Sequence, residues 1–182
     1  MLSEQELIQK CVCGDRIAQK QLYEKYNSLF FVICLRYMPT REEAEDVLIM
    51  GFTAIFTKIN TFKQEGSFEG WMKKIIVNTA ISSLRLNSKY YDTEREVEEL
   101  EQSGKTELVN NEIYEQINTK DILSQIQQMA DGYRTIFNLY AIEGYSYEEI
   151  AQMMNVSVGT VRSQLAKARK ILQRKLQVFA HE

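Results

Sequence analysis

Apolar residues recur at intervals of three and four along most of the chain, with no sustained alternation, so the pattern predicts an all-α protein. Ser3 followed by Glu6 makes a capping box for a short first helix, and Gly14-Asp15 ends it and caps the next. Ala18, Leu22, Tyr26, Leu29 and Ile33 continue at helical spacing as far as Pro39-Thr40, where proline's fixed φ and missing N–H stop the helix. Thr40 with Glu43 opens a third helix, apolar at Val47, Phe52, Ile55, Phe56 and Ile59. A loop from Thr61 to Ser67 follows, and Ser67 caps a helix to about Leu86 that buries Phe68, Met72, Ile75, Ile76 and Thr79.

Beyond Tyr91 large apolar residues thin out and Ser103-Gly104 breaks the pattern, so the chain divides there. The expected organisation is a helical domain over 1–90, an acidic linker over 91–115 and a second helical domain over 116–182. In the second, Ile113, Ile117, Ile122, Ile126 and Met129 mark one helix, and Tyr133, Ile136, Phe137 and Tyr140 another ending at Gly144. Ser146-Tyr147-Glu148-Glu149 is a capping box for a short helix with Ile150, Ala151 and Met154 inward, closed by Asn155. After Val156, Ser157 caps a final helix that turns Val161, Leu165, Ala168 and Leu172 to the core. The pair is a helix-turn-helix.

Charge changes the picture. The net of −3 argues against DNA until it is divided: from Tyr91 to Asn118 there are nine acids and two bases, a net of −7, which leaves +4 elsewhere. Two stretches hold bases and no acids, Trp71 to Tyr91 with Lys73, Lys74, Arg85 and Lys89, and Val158 to Ala180 with Arg162, Lys167, Arg169, Lys170, Arg174 and Lys175. These are the candidate phosphate contacts. No apolar run is long enough to span a bilayer, and Met1 to Lys10 lacks the basic flank and apolar stretch of a secretory signal, so a cytoplasmic protein is expected.

Cys11, Cys13 and Cys34 are an odd set, which argues against a disulfide framework. With His181 they could sense metal or redox state, but the spacing matches no common zinc pattern; the plainer reading makes Cys34 a small buried hydrophobe and sets Cys11 and Cys13 on either side of a helix end. No metal or cofactor is expected. An enzyme has little support, for there is no glycine-rich phosphate loop and no cysteine–histidine arrangement.

Two faces carry the candidate chemistry. On the last helix, Gly159, Thr160, Arg162, Ser163 and Gln164 are small or hydrogen-bonding, as entry into a major groove requires, while Lys167, Arg169, Lys170 and Arg174 suit flanking phosphates. On the helix after Ser67, Trp71, Lys74, Asn78, Ser82 and Arg85 share one face. Bases with an aromatic suit single-stranded DNA, whose unstacked bases need rings to stack on. Trp71 is equally readable as core, with its indole N–H satisfied locally.

From Gly14 to Leu176 the chain resembles the extracytoplasmic-function group of sigma-70 factors. The resemblance rests on Gly14-Asp15 with Leu22-Tyr23, Ala44-Glu45-Asp46-Val47 before Phe52, Gly66-Ser67-Phe68 with Trp71, Asn78-Thr79-Ala80, and Tyr147-Glu148-Glu149-Ile150-Ala151 through Val156-Ser157-Val158-Gly159-Thr160-Val161. It implies that the first half is a region 2 domain that binds the clamp of core RNA polymerase and captures melted minus-10 DNA, and that the second is region 4, which reads the minus-35 element. It places Asp46, Ile49 and Met50 at the polymerase contact. Phe62, Ser67, Phe68, Trp71, Lys74, Asn78, Ser82 and Arg85 fall at the minus-10 strand, the loop from Phe62 to Phe68 forming a pocket for a flipped base. Ser157, Gly159, Thr160, Arg162, Ser163, Gln164, Lys167 and Lys170 fall at the minus-35 duplex. Departures from the family pattern are Ile49-Met50 in place of Gln-Glu, Ser82 in place of Asp, Gln164 in place of Arg and Ala130 in place of Pro. An anti-sigma factor, commonly membrane-tethered, is the further implied partner. The alternative from another class is an autonomous helix-turn-helix regulator that binds duplex DNA tightly without polymerase.

Overall fold

Local capping chemistry sets the helix boundaries. In the computed structural model the described residues are 2–86 and 124–179. They belong to two units, divided between Ser83 and Leu84, and all their regular structure is helical. Ser3 and Glu6 form the expected reciprocal capping box of α1 (Glu4–Val12), with the Ser3 N–H donating to Glu6 Oε2 at 2.7 Å. Gly14 takes the left-handed φ of +78° that closes the helix, and Asp15 Oδ1 accepts the N–H groups of Ile17 and Ala18 at 2.8 and 3.1 Å to start α2 (Arg16–Tyr37). Thr40 Oγ1 accepts the Glu43 N–H at 3.2 Å and opens α3 (Arg41–Lys58). A single 3₁₀ turn, Ile59–Thr61, leads into the loop. Ser67 Oγ then accepts the Gly70 N–H at 3.2 Å at the start of α4 (Phe68–Leu86).

The core of the first unit joins Leu22, Tyr26, Phe30, Ile33, Cys34 and Tyr37 of α2 to Ala44, Val47, Phe52 and Ile55 of α3 and to Met72, Ile76 and Ala80 of α4. One expectation is corrected here. Leu29 is 45% exposed, and Phe30, at 0%, takes its place in the core. At 3.6 residues per turn either position can follow Tyr26. The aromatic is selected because it reaches Phe52 of α3, 5.8 Å between ring centroids, and lies parallel to Tyr26 at 5.6 Å. Phe56, Ile75 and Thr79 are only half-buried. Gly51, unfavourable in a helix interior by about 0.5–1 kcal/mol, lies where α3 meets α4: a Cβ there would stand 2.4 Å from Ile76 Cδ1.

Cys11 and Cys34 are buried and Cys13 is exposed at the end of α1. Burial pushes the Cys34 thiol up to about 12, and that of Cys11 up as well. Because the core holds the neutral thiol, the Cys34 contribution to stability is complete below about pH 9, the thiol's ordinary value, and is lost above it as the unfolded chain ionises. A thiol reagent at about pH 8 should modify Cys13 rapidly and reach Cys11 and Cys34 only when denaturant is added, since the thiolate is the reactive form. Rapid labelling of three thiols in the folded chain would contradict this packing.

In the second unit residues 124–127 form one helical turn. It is followed by α5 (Asp131–Phe137), one π-helical turn (Asn138–Ile142), α6 (Tyr147–Met154) and α7 (Val158–Phe179). Ile126, Met129, Tyr133, Ala168 and Leu172 form one core cluster, and Ile136, Leu139, Ile150, Met154, Val161 and Leu165 are also buried. The expected acidic linker and the helix positions Ile113, Ile117 and Ile122 lie outside the described residues. Tyr140 departs from expectation: it is half-exposed, in a π turn closed by the Glu143 N–H donating to the Asn138 carbonyl at 2.9 Å.

Candidate nucleic-acid interface

The helix-turn-helix is assembled by three short-range devices. Ser146 and Glu149 form a reciprocal capping box for α6, with 3.2 Å from the Glu149 N–H to Ser146 Oγ and 2.8 Å from the Ser146 N–H to Glu149 Oε2. Asn155 takes the left-handed conformation, φ 55° and ψ 45°, and the Val156 N–H reaches back to the Ala151 carbonyl at 3.0 Å. Ser157 Oγ accepts the Thr160 N–H at 3.0 Å and so caps α7. Ile150, Ala151 and Met154 of α6 and Val161, Leu165, Ala168 and Leu172 of α7 are buried as the spacing requires.

The opposite face of α7 presents Gly159, Arg162, Ser163, Lys167, Arg169 and Lys170 to solvent, with Thr160 and Gln164 half-buried. Three hydroxyls on this face are engaged locally. The Ser157 and Thr160 oxygens are 2.8 Å apart, and Ser163 Oγ donates to the Thr160 carbonyl at 3.0 Å. Arg162 lies 5.4 Å over the ring of Tyr147, and Arg169 lies 5.2 Å over that of Tyr140. The two tyrosine rings are stacked at 5.0 Å with 8° between their planes. A hydrogen bond from Tyr147, and a second from Arg169, pull the Tyr140 phenol below its ordinary value, while the same tyrosine–tyrosine bond raises that of Tyr147. The sequence marked Tyr140 as a core position and Tyr147 only as part of a capping box.

On α4, Lys74, Asn78, Ser82 and Arg85 are exposed and Trp71 is half-buried at the head of the same row. The two readings of Trp71 are reconciled in an aromatic cluster. Phe68 stacks on Trp71 at 5.7 Å, and Phe62 of the loop closes on both, 5.5 Å from Trp71 and 5.0 Å from Phe68. Phe68 is 2% exposed, so it is the floor of the cluster and supports Trp71 and Phe62 without presenting a surface of its own. Ser67 is exposed with its hydroxyl engaged as the helix cap, and Ser82 Oγ donates to the Asn78 carbonyl at 2.8 Å. The loop between Phe62 and Ser67 turns through Gln64 and Gly66, both at positive φ.

Asp46, Ile49 and Met50 lie exposed on α3, with Ile49 at 61% and Met50 at 48%. Leu29 and Val32 add two exposed apolar side chains on α2, at 45% and 48%. The helical spacing had placed Leu29 in the core. Among the described residues no group of three or more histidine, cysteine or carboxylate side chains is placed to hold a metal ion, and no described helix is long and apolar enough to cross a membrane.

A helical unit with an aromatic and basic face, followed by a helix-turn-helix unit, is the architecture of a two-domain DNA-binding protein. Residues 22–90 match the family model Sigma-70 region 2, and residues 119–172 match Sigma-70, region 4. Among curated relatives the chain is 27% identical to the RNA polymerase sigma-H factor of Pseudomonas aeruginosa over 98% of its own length and 96% of the relative's. It is 28% identical to the ECF RNA polymerase sigma-E factor of Haemophilus influenzae, over 97% and 96%. Among solved structures it resembles the sigma factor RpoE of Bartonella quintana, determined with the anti-sigma factor NepR, with a TM-score of 0.53, 21% identity and coverage of 87% of this chain and 96% of that one. The chain belongs to the extracytoplasmic-function subfamily of sigma-70 RNA polymerase sigma factors, which direct transcription initiation.

Proposed function

We propose that this sigma factor works through three surfaces. The exposed face of α3 around Asp46, Ile49 and Met50 meets core RNA polymerase. The row from Trp71 to Arg85 on α4, with Phe62 and the loop to Ser67, receives the melted minus-10 strand. The face of α7 bearing Gly159, Thr160, Arg162, Ser163, Gln164, Lys167 and Lys170, opened by Ser157, enters the minus-35 major groove. The observation that carries the reading is that the α4 stretch from Trp71 and the α7 stretch from Val158 hold bases and no acidic side chains in a chain of net −3, and that each pairs its charges with the group its substrate needs. Melted DNA offers bases for stacking, whereas a duplex offers base edges and phosphates.

Apolar Ile49 and Met50 give the polymerase contact a hydrophobic centre beside the charge of Asp46, the composition of a buried interface core. In this reading the region 2 domain is assigned to 1–90 and the region 4 domain to 116–182, with the acidic stretch 91–115 of the sequence between them. The protein acts in the cytoplasm as a non-catalytic subunit needing no cofactor. An anti-sigma factor is its expected antagonist, as the solved complex of the Bartonella relative suggests.

The test is transcription by bacterial core polymerase, with and without this protein, on genomic fragments from its own source. Discrete protein-dependent start sites sharing two spaced elements are expected. No initiation and no association with core, together with tight duplex binding by the free protein, would replace this reading with that of an autonomous regulator.

A further inference from the structure

Four side chains from three elements stack in series along the helix-turn-helix: Arg162 of α7 over Tyr147 at the head of α6, Tyr147 on Tyr140 of the π turn, and Arg169 of α7 over Tyr140. Arg162 and Arg169 are exposed and the tyrosines half-buried, so the stack is no part of the core. Tyr140 lies in the π turn, and its ring faces Tyr147.

We propose that Tyr147 and Tyr140 are positioning residues for DNA recognition, holding the guanidinium groups of Arg162 and Arg169 in place before the duplex arrives. This rests on the reading of α7 as the minus-35 element. An unrestrained arginine must give up much rotamer freedom when it binds. A ring restrains it through the face of the guanidinium and leaves N–H donors around its edge for the DNA. Those donors make the bidentate bonds to guanine O6 and N7, or to phosphate oxygens. Seven residues apart on one helix, Arg162 and Arg169 lie about two turns from each other, and the tyrosine pair ties both to the supporting helix. A positioning role of this kind acts through Arg162 and has no meaning without it.

The experiment uses the full chain with core polymerase on duplex promoters carrying either the preferred minus-35 element or a substituted one. The variants are Tyr147→Phe, which keeps the ring, and Tyr147→Leu, which removes it, each alone and combined with Arg162→Ala. Tyr147→Leu is expected to weaken binding to the preferred element about two- to fivefold, the range of an exposed cation–π contact, and to narrow the preference between elements. Tyr147→Phe should retain most of that preference, and Tyr147→Leu should add little further loss once Arg162 is alanine. Equal losses from Tyr147→Leu with and without Arg162, or a loss from Tyr147→Phe as large as that from leucine, would overturn the proposal while leaving minus-35 reading intact. Arg162→Ala without effect on any element would overturn both. Equal melting temperatures for the Phe and Leu variants are expected; a lower one for leucine alone that accounts for its loss on every element would make Tyr147 merely structural.

Discussion

Alanine in place of Arg134 is expected to lower the stability of the second unit by about 3–5 kcal/mol, the usual consequence of removing one partner of a buried charged pair. Arg134 is 1% exposed. Its Nη1 donates to the carbonyls of Gln127 and Met129 at 2.8 and 3.2 Å, and its Nη2 meets Asp131 Oδ1 at 2.6 Å. The side chain therefore ties the turn at 124–127 to α5, and truncation leaves buried carbonyls unpaired around a cavity. With domain stabilities near 5–15 kcal/mol, such a loss is a large fraction of the whole, and the unfolding midpoint of the second unit should fall clearly. Asp131→Asn should cost less, because that carboxylate is 28% exposed. Arg134→Lys should not restore the loss, since an ammonium has no planar fork to reach several acceptors at once. Trp71 is the only tryptophan and lies in the first unit, so its fluorescence follows that unit while amide exchange follows the second. A loss below about 1 kcal/mol would show that these bonds behave like those of a surface pair.

Trp71→Ala is expected to weaken capture of the melted strand by about 1–3 kcal/mol per base stacked on the ring, or roughly five- to 150-fold in affinity. Phe68 covers one side of the indole and Phe62 closes at a tilt of 48°, which holds the ring rigid while leaving it half-exposed. A base stacking there meets a surface already ordered. Lys74→Ala, by contrast, should weaken every sequence alike and reduce the single-strand salt slope by about 0.7. The measurement is binding of the polymerase complex to a single-stranded minus-10 oligonucleotide and, separately, to duplex containing only the minus-35 element. Trp71→Ala should affect the first and spare the second. Equal losses on both would mean that the tryptophan acts only through folding, and recovery in Trp71→Phe would favour stacking.

Much of this was legible from short-range chemistry. Ser3-Glu6, Asp15, Thr40, Ser67, Ser146-Glu149, Asn155 and Ser157 each act within a few residues of themselves, through bonds that need no distant partner, so the helix boundaries and the helix-turn-helix follow from the chain alone. The separation of charge is likewise a property of composition. Tertiary structure decided what depends on a partner elsewhere in the chain. Phe30 is buried instead of Leu29 because Phe52 waits on the facing helix, a choice that a period of 3.6 leaves open. Phe68 became a floor and Trp71 a half-open ring because a loop aromatic, Phe62, folds back on both. Arg134, an ordinary surface residue by type, is buried because two carbonyls and a carboxylate converge on it. Tyr140 is half-exposed and stacks on Tyr147 of the next helix, in a π turn that periodicity does not announce. Spacing along a helix reports which residues share a face; which of those faces meet, and which side chains find one another across the gap, is set only when distant segments pack.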